Sequence, residues 1–169
     1  MTLEQPLAVR PPRTLAEAAE AHLDDVFGYL LYLTRDREAA EDLASSTFEK
    51  AVRLWARFDP SRGTARTWLL GIARTTALDW FRAESRRRKR EEAAALPDRV
   101  DEAFVEGLSP ALEAGLASLS AGEREVLVLR IVLELDGDAT ARVLGISPTA
   151  VSTRLSRALK RLEERMNEG

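Results

Sequence analysis

The chain has 169 residues, no cysteine, one histidine and a formal net charge of −3. This composition excludes a disulfide framework, a thiolate metal site and a cysteine nucleophile, and it fits a reducing, cytoplasmic location. No stretch approaches the roughly 18 uninterrupted apolar residues of a membrane span and the amino terminus lacks a signal-peptide core, so membrane insertion is not expected.

The amino-terminal part of the chain predicts a tail followed by a helical domain. Residues 1–14 hold three prolines and no periodicity, and we interpret them as a mobile tail. Residues 15–92 are predicted to be helical, because apolar residues recur at three- and four-residue steps, as between Leu23 and Leu33. The segment "DPSRGT" at 59–64 predicts a loop before a long helix, since proline and glycine interrupt helices.

The segment "RTTALDWFRAESRRRKR" closes this long helix at residues 74–90. Between Arg82 and Arg90 it holds six basic residues and one acidic residue. Arginine side chains neutralise phosphates, and exposed aromatic rings stack on unpaired bases, so the segment favours binding of single-stranded nucleic acid. Two other interpretations stay open: Trp80 fits burial in a core equally well, and Arg86–Arg90 also fits a solvated helix end.

The remainder of the chain predicts a linker and a second helical domain. Residues 93–109 are acidic and weakly periodic, which is typical of a linker. Residues 110–169 resume a helical pattern, and a first piece at 122–133 has Val126, Leu127, Leu129 and Ile131–Leu133 on its apolar side. Alternating strand patterns are missing. We therefore predict an all-α protein of two small helical domains joined by a flexible linker.

The second domain contains the capping residues and the glycine turn that are typical of a helix-turn-helix. Asp136 is a suitable N-cap for a short helix at 137–144, and Gly145 suits a left-handed C-cap. Ser147 and Pro148 then suit the cap and first residue of another helix. A plain helical hairpin shares the two-helix pattern, but the caps and the glycine turn favour the DNA-binding motif.

The last helix of this motif has a polar, basic outward face. Val151 and Leu155 are predicted to point inward. Between Val151 and Leu162 there are four basic residues and no acidic one, which suits a helix in the major groove with flanking phosphate contacts. The outward set is predicted to be Thr149, Ser152, Thr153, Arg154, Ser156, Arg157, Lys160 and Arg161.

Three segments in order resemble one protein family. They are "AEDLASSTFEKA", "TARTWLLGIARTTALDWFRAESRRR" and "LSAGEREVLVLRIVLELDGDATARVLGISPTAVSTRLSRALKRL". Together they resemble the bacterial sigma-70 family, and in particular the compact extracytoplasmic-function (ECF) sigma factors, which keep only regions 2 and 4. The resemblance spans about residues 15–162. It implies that 15–92 is region 2, that 110–169 is region 4, and that the chain is a promoter-specificity subunit of RNA polymerase rather than an enzyme.

The resemblance also implies roles for individual positions. The set implied to bind the β′ clamp helices of core polymerase is Asp42, Leu43, Thr47 and Phe48. The set implied to melt and hold the minus-ten element is Arg62, Thr64, Arg66, Trp68, Arg74, Arg82 and Arg86. The set implied to read the minus-thirty-five element is Ser147, Thr149, Ser152, Thr153, Arg154, Ser156 and Arg157. The other partners implied are the β flap, promoter DNA and an anti-sigma factor; no cofactor or metal is implied.

Five positions depart from the family pattern. Ser45 and Ser46 stand where Gln and an acidic residue are usual in the polymerase-binding helix. Thr75 replaces a frequent Asn, Thr140 replaces a buried aliphatic residue, and Ser152 stands where Lys or Arg is common. We expect less assured clamp affinity from the first pair, altered holding of the upstream fork at Thr75, a packing cost at Thr140 and one weakened DNA contact at Ser152. Two interpretations of these changes stay open: a weakened factor, or a factor for an unusual promoter.

Other functional classes explain less of the sequence. An enzyme is disfavoured, because the single histidine, His22, has no metal-binding companions and no phosphate loop or nucleophile elbow is present. The runner-up is a stand-alone helix-turn-helix regulator, which leaves the 59–64 loop and the basic segment without a shared purpose. A third interpretation, a helical protein that only binds other proteins, predicts no promoter opening.

Overall fold

The computed structural model describes residues 12–92 and 109–167. Within those two ranges the regular structure is entirely helical, as predicted. Residues 1–11 of the predicted tail (1–14) and residues 93–108 of the predicted linker (93–109) lie outside the described residues. The helices are α1 (Leu15–Thr34), α2 (Arg37–Leu54), α3 (Ala65–Glu92), α4 (Pro110–Ser118), α5 (Ala121–Leu127), α6 (Gly137–Leu144) and α7 (Pro148–Asn167).

Helices α1–α3 form a three-helix bundle, here called the amino-terminal half. The Thr14 hydroxyl caps α1 by accepting the Glu17 amide, and the Asp36 carboxylate caps α2 by accepting the Ala39 amide. Between them Arg35 adopts a left-handed conformation at φ +52°, which reverses the chain direction. The buried side chains of the bundle include Val26, Leu30, Leu43, Leu69, Leu70 and Ala73.

Helices α4–α7 form the carboxy-terminal half. A Cβ atom at Gly115 on α4 would lie 2.9 Å from Leu162 Cδ2 on α7, so α4 packs closely on α7 and a larger residue at 115 would force the end of the Leu162 side chain to shift. A capping box starts α5: the Ser120 hydroxyl accepts the Glu123 amide, and the Glu123 carboxylate accepts the Ser120 amide. The capping box therefore fixes where α5 begins, and α5 then packs against α7.

A wide π turn at Val128–Val132 follows α5. The Leu133 amide donates to the Val128 carbonyl at 2.8 Å. This bond spans five residues, whereas the bonds of an α-helix span four. The turn buries Leu129 and Leu133 but leaves Ile131 and Val132 57% and 69% exposed. The prediction of an apolar side that included Ile131 and Val132 was therefore wrong for these two residues, because the π turn changes which positions face the core.

The helix-turn-helix forms as its caps predict. The Asp136 carboxylate accepts the Ala139 amide at 2.7 Å, and Gly145 ends α6 in a left-handed conformation at φ +64°. The Ser147 hydroxyl accepts the Ala150 amide at 3.1 Å, and α7 begins at Pro148. This local chemistry places α7 after a sharp turn with its polar face outward.

The two halves pack against each other. One continuous core cluster includes Tyr29 and Leu70 from the amino-terminal half together with Val126 and Leu129 from the carboxy-terminal half. Helix α3 lies against α6, and α1 contacts the π turn. The contact brings the carboxy-terminal half onto the helix that carries most of the predicted minus-ten residues.

Candidate nucleic-acid interface

A cleft lined by aromatic and basic side chains lies where the 59–64 loop meets α3. Two rings, Phe58 and Trp68, line its apolar wall at 5.4 Å between centroids. Trp55 supports them, because it stacks on Phe58 at 4.9 Å and meets Trp68 at 5.7 Å. The cleft has a volume of about 440 Å³, and its basic lining residues are Lys50, Arg57, Arg62 and Arg142. Flat rings beside cations suit a base and its phosphate.

The loop that borders this cleft is held by its own hydrogen bonds. The Asp59 carboxylate accepts the Ser61 amide at 2.9 Å and the Ser61 hydroxyl at 2.6 Å, and these bonds lower the pKa of Asp59. Thr64 accepts the Thr67 amide and so caps α3. Arg62 is exposed and lines the cleft. The loop therefore presents Arg62 on an ordered turn.

Two of the predicted minus-ten arginines are engaged within the protein. Arg66 Nε donates to Asp25 Oδ2 at 2.6 Å, and its Nη2 donates to the Leu133 carbonyl in the carboxy-terminal half. Arg74 Nε donates to Glu125 Oε1 at 2.8 Å, with the Arg74 side chain only 23% exposed. Both guanidinium groups therefore contact groups of the other half.

Glu125 is the centre of this contact. Its Oε1 also accepts the hydroxyl of buried Tyr29 at 2.6 Å. Burial, together with the nearby Glu125 carboxylate, raises the pKa of Tyr29 well above its usual range, so the hydroxyl keeps its proton and remains a donor. Sequence reasoning did not select Tyr29, Asp25 or Glu125, because each contact joins residues that lie far apart in the chain and no local pattern marks them.

The carboxyl-terminal end of α3 is open to solvent. Arg82 and Arg86 are exposed, and Arg82 pairs with Asp79 at 3.2 Å within its own helix. Trp80 is half-buried against the core and meets the edge of Phe81 at 5.0 Å. Of the two interpretations of Trp80, the structure therefore favours the packing role.

The four residues implied to bind polymerase lie on α2 in different environments. Asp42 is exposed and Phe48 is half-buried. Leu43 and Thr47 are buried in the bundle, and the Thr47 hydroxyl donates to the Leu43 carbonyl at 2.7 Å. Ser45 is exposed and Ser46 is half-buried. A partner that approaches α2 meets Asp42 directly, whereas Leu43 and Thr47 act through the packing of the helix.

The predicted minus-thirty-five residues lie together on the first turns of α7 and on the turn that precedes this helix. Ser147, Thr149, Ser152, Thr153, Ser156 and Arg157 are exposed, and Arg154 is half-buried beside Gly122. Val151 is buried beneath them. The structure therefore brings this predicted set together as a continuous polar surface at the start of a helix.

Neither metal binding nor a membrane span is indicated in the part of the chain that the structure describes. Residues 12–92 and 109–167 contain no group of three or more potential metal-ligating side chains. None of the described helices is both long and apolar enough to cross a bilayer.

Comparison with known proteins identifies both halves. The family model for sigma-70 region 2 matches residues 18–87, and that for sigma-70 region 4 matches residues 109–162. A probable RNA polymerase sigma-C factor of Mycobacterium bovis is 33% identical over 86% of this chain and 80% of its own length. The ECF RNA polymerase sigma factor SigX of Bacillus subtilis is 28% identical over 87% of this chain and 80% of its own.

Solved structures share the fold. The sigma factor RpoE of Bartonella quintana, crystallised with the anti-sigma factor NepR, has a TM-score of 0.74 at 22% identity, covering 90% of this chain and 96% of that one. CnrH, solved with the cytosolic domain of CnrY, has a TM-score of 0.66 at 25% identity, covering 91% and 88%. With both region models in order and relatives of nearly full coverage, the chain belongs to the ECF sigma factors of the sigma-70 family.

Proposed function

We propose that this sigma factor uses the cleft beside the 59–64 loop to hold an unpaired minus-ten base and uses α7 to read the minus-thirty-five element. The observation that carries the proposal is the pairing of two different surfaces on one chain. The cleft combines Trp68 with cations such as Arg62, which suits single strands, whereas the small polar side chains that begin α7 suit the edges of duplex bases.

The chain has the role of a specificity subunit and carries out no catalytic step itself. Each DNA contact is modest alone, and binding to core polymerase holds both halves at high effective concentration along one promoter. The net charge of −3 disfavours binding of the free chain to arbitrary DNA. Its place of action is the cytoplasm, where core polymerase and promoters are found in bacteria.

The two halves of the chain also bind different parts of core polymerase. The exposed Asp42 on α2 faces the β′ clamp helices, and the carboxy-terminal half meets the β flap. Ser45 and Ser46 present only short hydroxyl side chains beside Asp42, so the charge contribution of this surface to clamp binding is reduced. An anti-sigma factor is a further expected partner, since the Bartonella quintana relative was crystallised with one.

Run-off transcription with core polymerase on a genomic promoter library tests the proposal, because it reports activity and promoter sequence together. We expect the chain to support initiation from a small set of promoters and to compete with other sigma factors for core. A stand-alone regulator would bind its operators without core polymerase and would not displace other sigma factors. The latter result contradicts the proposal.

A pre-melted template separates melting from binding. Arg62→Ala is expected to reduce initiation on duplex promoters by about tenfold, while a template with an open bubble at the minus-ten element largely restores it. Arg53→Ala is the matched control, since Arg53 is an exposed arginine on α2 outside the predicted DNA surface. Equal losses for both variants, or no rescue by the bubble, would argue against a melting role for this loop.

A further inference from the structure

Helix α3 extends beyond the part of it that packs in the bundle. Ala77 is its last buried residue, and from Arg82 to Arg90 every residue except Glu84 is exposed. Residues 82–90, here called the basic segment, add about 14 Å of helix at 1.5 Å per residue. Packing within the described chain does not account for this segment, and its exposed side chains are available to a partner.

Most cations of the basic segment have no carboxylate partner. Arg82 pairs with Asp79 at 3.2 Å, and Arg87 pairs with Glu84 at 2.9 Å. Within residues 12–92 and 109–167 the other cations of the segment form no ion pair; they are Arg86, Arg88, Lys89 and Arg90. Cations that are not neutralised within the protein suit the phosphates of a nucleic acid, because each phosphate that they bind releases counterions.

Part of the basic segment lies on the same side of α3 as the aromatic cleft. Trp68 lines the cleft. At about 100° per residue, Arg86 is in line with Trp68 and Arg90 lies about 40° from it, whereas Arg88 is on the opposite side. The rise along the helix from Trp68 to Arg86 is about 27 Å, which matches about eight base pairs of duplex DNA.

The surface between the cleft and Arg86 is compatible with a DNA backbone. Asp79 lies on this side of α3, but its carboxylate is 3.2 Å from Arg82 and 4.0 Å from Lys50. Thr75, one turn earlier, is exposed and uncharged. Between Trp68 and Arg86 this side of the described helix therefore presents no unpaired carboxylate to DNA.

From this placement we propose that the basic segment is a separate DNA site: Arg86 and Arg90 bind the phosphate backbone of the promoter duplex upstream of the minus-ten element, whatever its base sequence. The inference rests on the proposed function, because it takes from that function an unpaired base at Trp68. The chain continues from α3 to the half that reads the minus-thirty-five element, so this end of the helix points upstream. Contacts to phosphates position the duplex and carry no sequence information.

Two fork-junction DNAs measure this site separately from the cleft. Both carry the single-stranded minus-ten element of a promoter selected by run-off transcription, and neither contains the minus-thirty-five element. The short DNA has about 3 base pairs of upstream duplex, which end before Arg86, and the long DNA has about 12, which extend past Arg90. Binding of each labelled DNA to holoenzyme, assembled from core polymerase and the full-length chain, is measured at several salt concentrations.

Two double variants remove the same charge from different sides of the basic segment. Arg86→Ala combined with Arg90→Ala removes the proposed phosphate contacts. Arg87→Ala combined with Arg88→Ala is the matched control, because these two arginines are also exposed but lie away from the side of Trp68. Alanine has the highest helix propensity, so both variants keep the segment helical.

The Arg86 and Arg90 variant is expected to bind the long DNA about tenfold more weakly, and its slope of log K against log salt should fall by about 2, since each phosphate contact contributes about 0.9. On the short DNA it should match the parent chain, and the control should match the parent on both DNAs. The loss should be the same for long DNAs of different upstream sequence.

Three results would overturn the proposal: equal losses for the two variants, a loss on the short DNA, or a loss that depends on the upstream sequence. Weaker assembly of the holoenzyme would also overturn it, because the arginines would then bind polymerase instead of DNA. A parent holoenzyme that fails to bind even the short DNA would contradict the proposed function itself. A parent that binds the short DNA and gains nothing from the longer duplex would overturn this inference alone.

Discussion

The arginines of α3 and those of α7 carry the same charge but occupy different environments. Arg66 and Arg74 on α3 are 28% and 23% exposed in their side chains and bond to the carboxy-terminal half. Arg157 on α7 is exposed on a face that the rest of the described chain leaves open. Basic charge in the sequence marks both helices, but only the fold separates arginines that are open to solvent from arginines that are engaged within the protein.

The largest effect is expected on α7. Reversal of Arg154 or Arg157 to Glu should reduce initiation from the selected promoter by about tenfold to a hundredfold, because each base or phosphate contact contributes roughly 1–3 kcal/mol and a carboxylate repels phosphate. Quantitative run-off transcription measures the loss. Lys160→Glu, on the same outward face but not among the predicted minus-thirty-five residues, should cost much less. Equal losses for all three reversals would show a general charge effect instead of a recognition surface.

The second largest effect is expected on the free energy of unfolding, which should depend on the arginine of α3 but not on that of α7. Arg74→Ala leaves the Glu125 carboxylate nearly buried without its cation, and we expect a loss of about 2 kcal/mol in the free energy of unfolding. Arg157→Ala should change it by less than about 0.5 kcal/mol, as is usual for exposed positions. Urea unfolding measures both.

A double variant tests whether the Arg74 and Glu125 side chains are energetically coupled. Adding Glu125→Gln to Arg74→Ala should recover part of the lost stability, since an amide costs less than a charge to leave unpaired. Additive losses would instead show that the two side chains are not coupled, and the interdomain ion pair would then contribute nothing measurable.

Local chemistry made the helix-turn-helix predictable. Asp136, Gly145, Ser147 and Pro148 each act within a few residues of the chain, so their types alone fix the helix ends. The polar face of α7 followed from helical periodicity. The all-α class followed in the same way, since every long apolar pattern has the helical period.

Long-range packing was not predictable. Glu125 lies 96 residues from Tyr29 and 51 from Arg74, and no periodicity links such positions. The π turn at Val128–Val132 also escaped prediction, because its apolar sequence fits an ordinary helix and only the packing around it selects the wider turn. Burial of Leu43 and Thr47 shows the same limit: a motif places residues on a helix but does not say which of them face a partner.

A third effect tests the packing cost at Thr140. Its side chain is fully buried and, among the described residues, its hydroxyl oxygen has no hydrogen-bond partner. Thr140→Val keeps the shape and removes the unsatisfied group, so we expect a gain of about 1 kcal/mol in the free energy of unfolding and a higher melting temperature. Thr149→Val, at an exposed site on α7, should give no such gain. A lower melting temperature for Thr140→Val would mean that the hydroxyl is satisfied in solution.

The smallest effect is a pH dependence inside the carboxy-terminal half. The Ser120 amide, with the Ser120 hydroxyl and nearby Arg161, lowers the pKa of Glu123 despite its burial. A carboxylate with a depressed folded-state pKa stabilises the fold above its unfolded pKa, and that contribution is lost as the pH falls through the folded value. Glu123→Gln cannot titrate, so its melting temperature should fall less on acidification below about pH 4.5, the difference being roughly a few tenths of a kcal/mol because Arg161 is half exposed. Identical acid profiles for the two proteins would show that the capping box, without the charge on Glu123, carries the stability of α5.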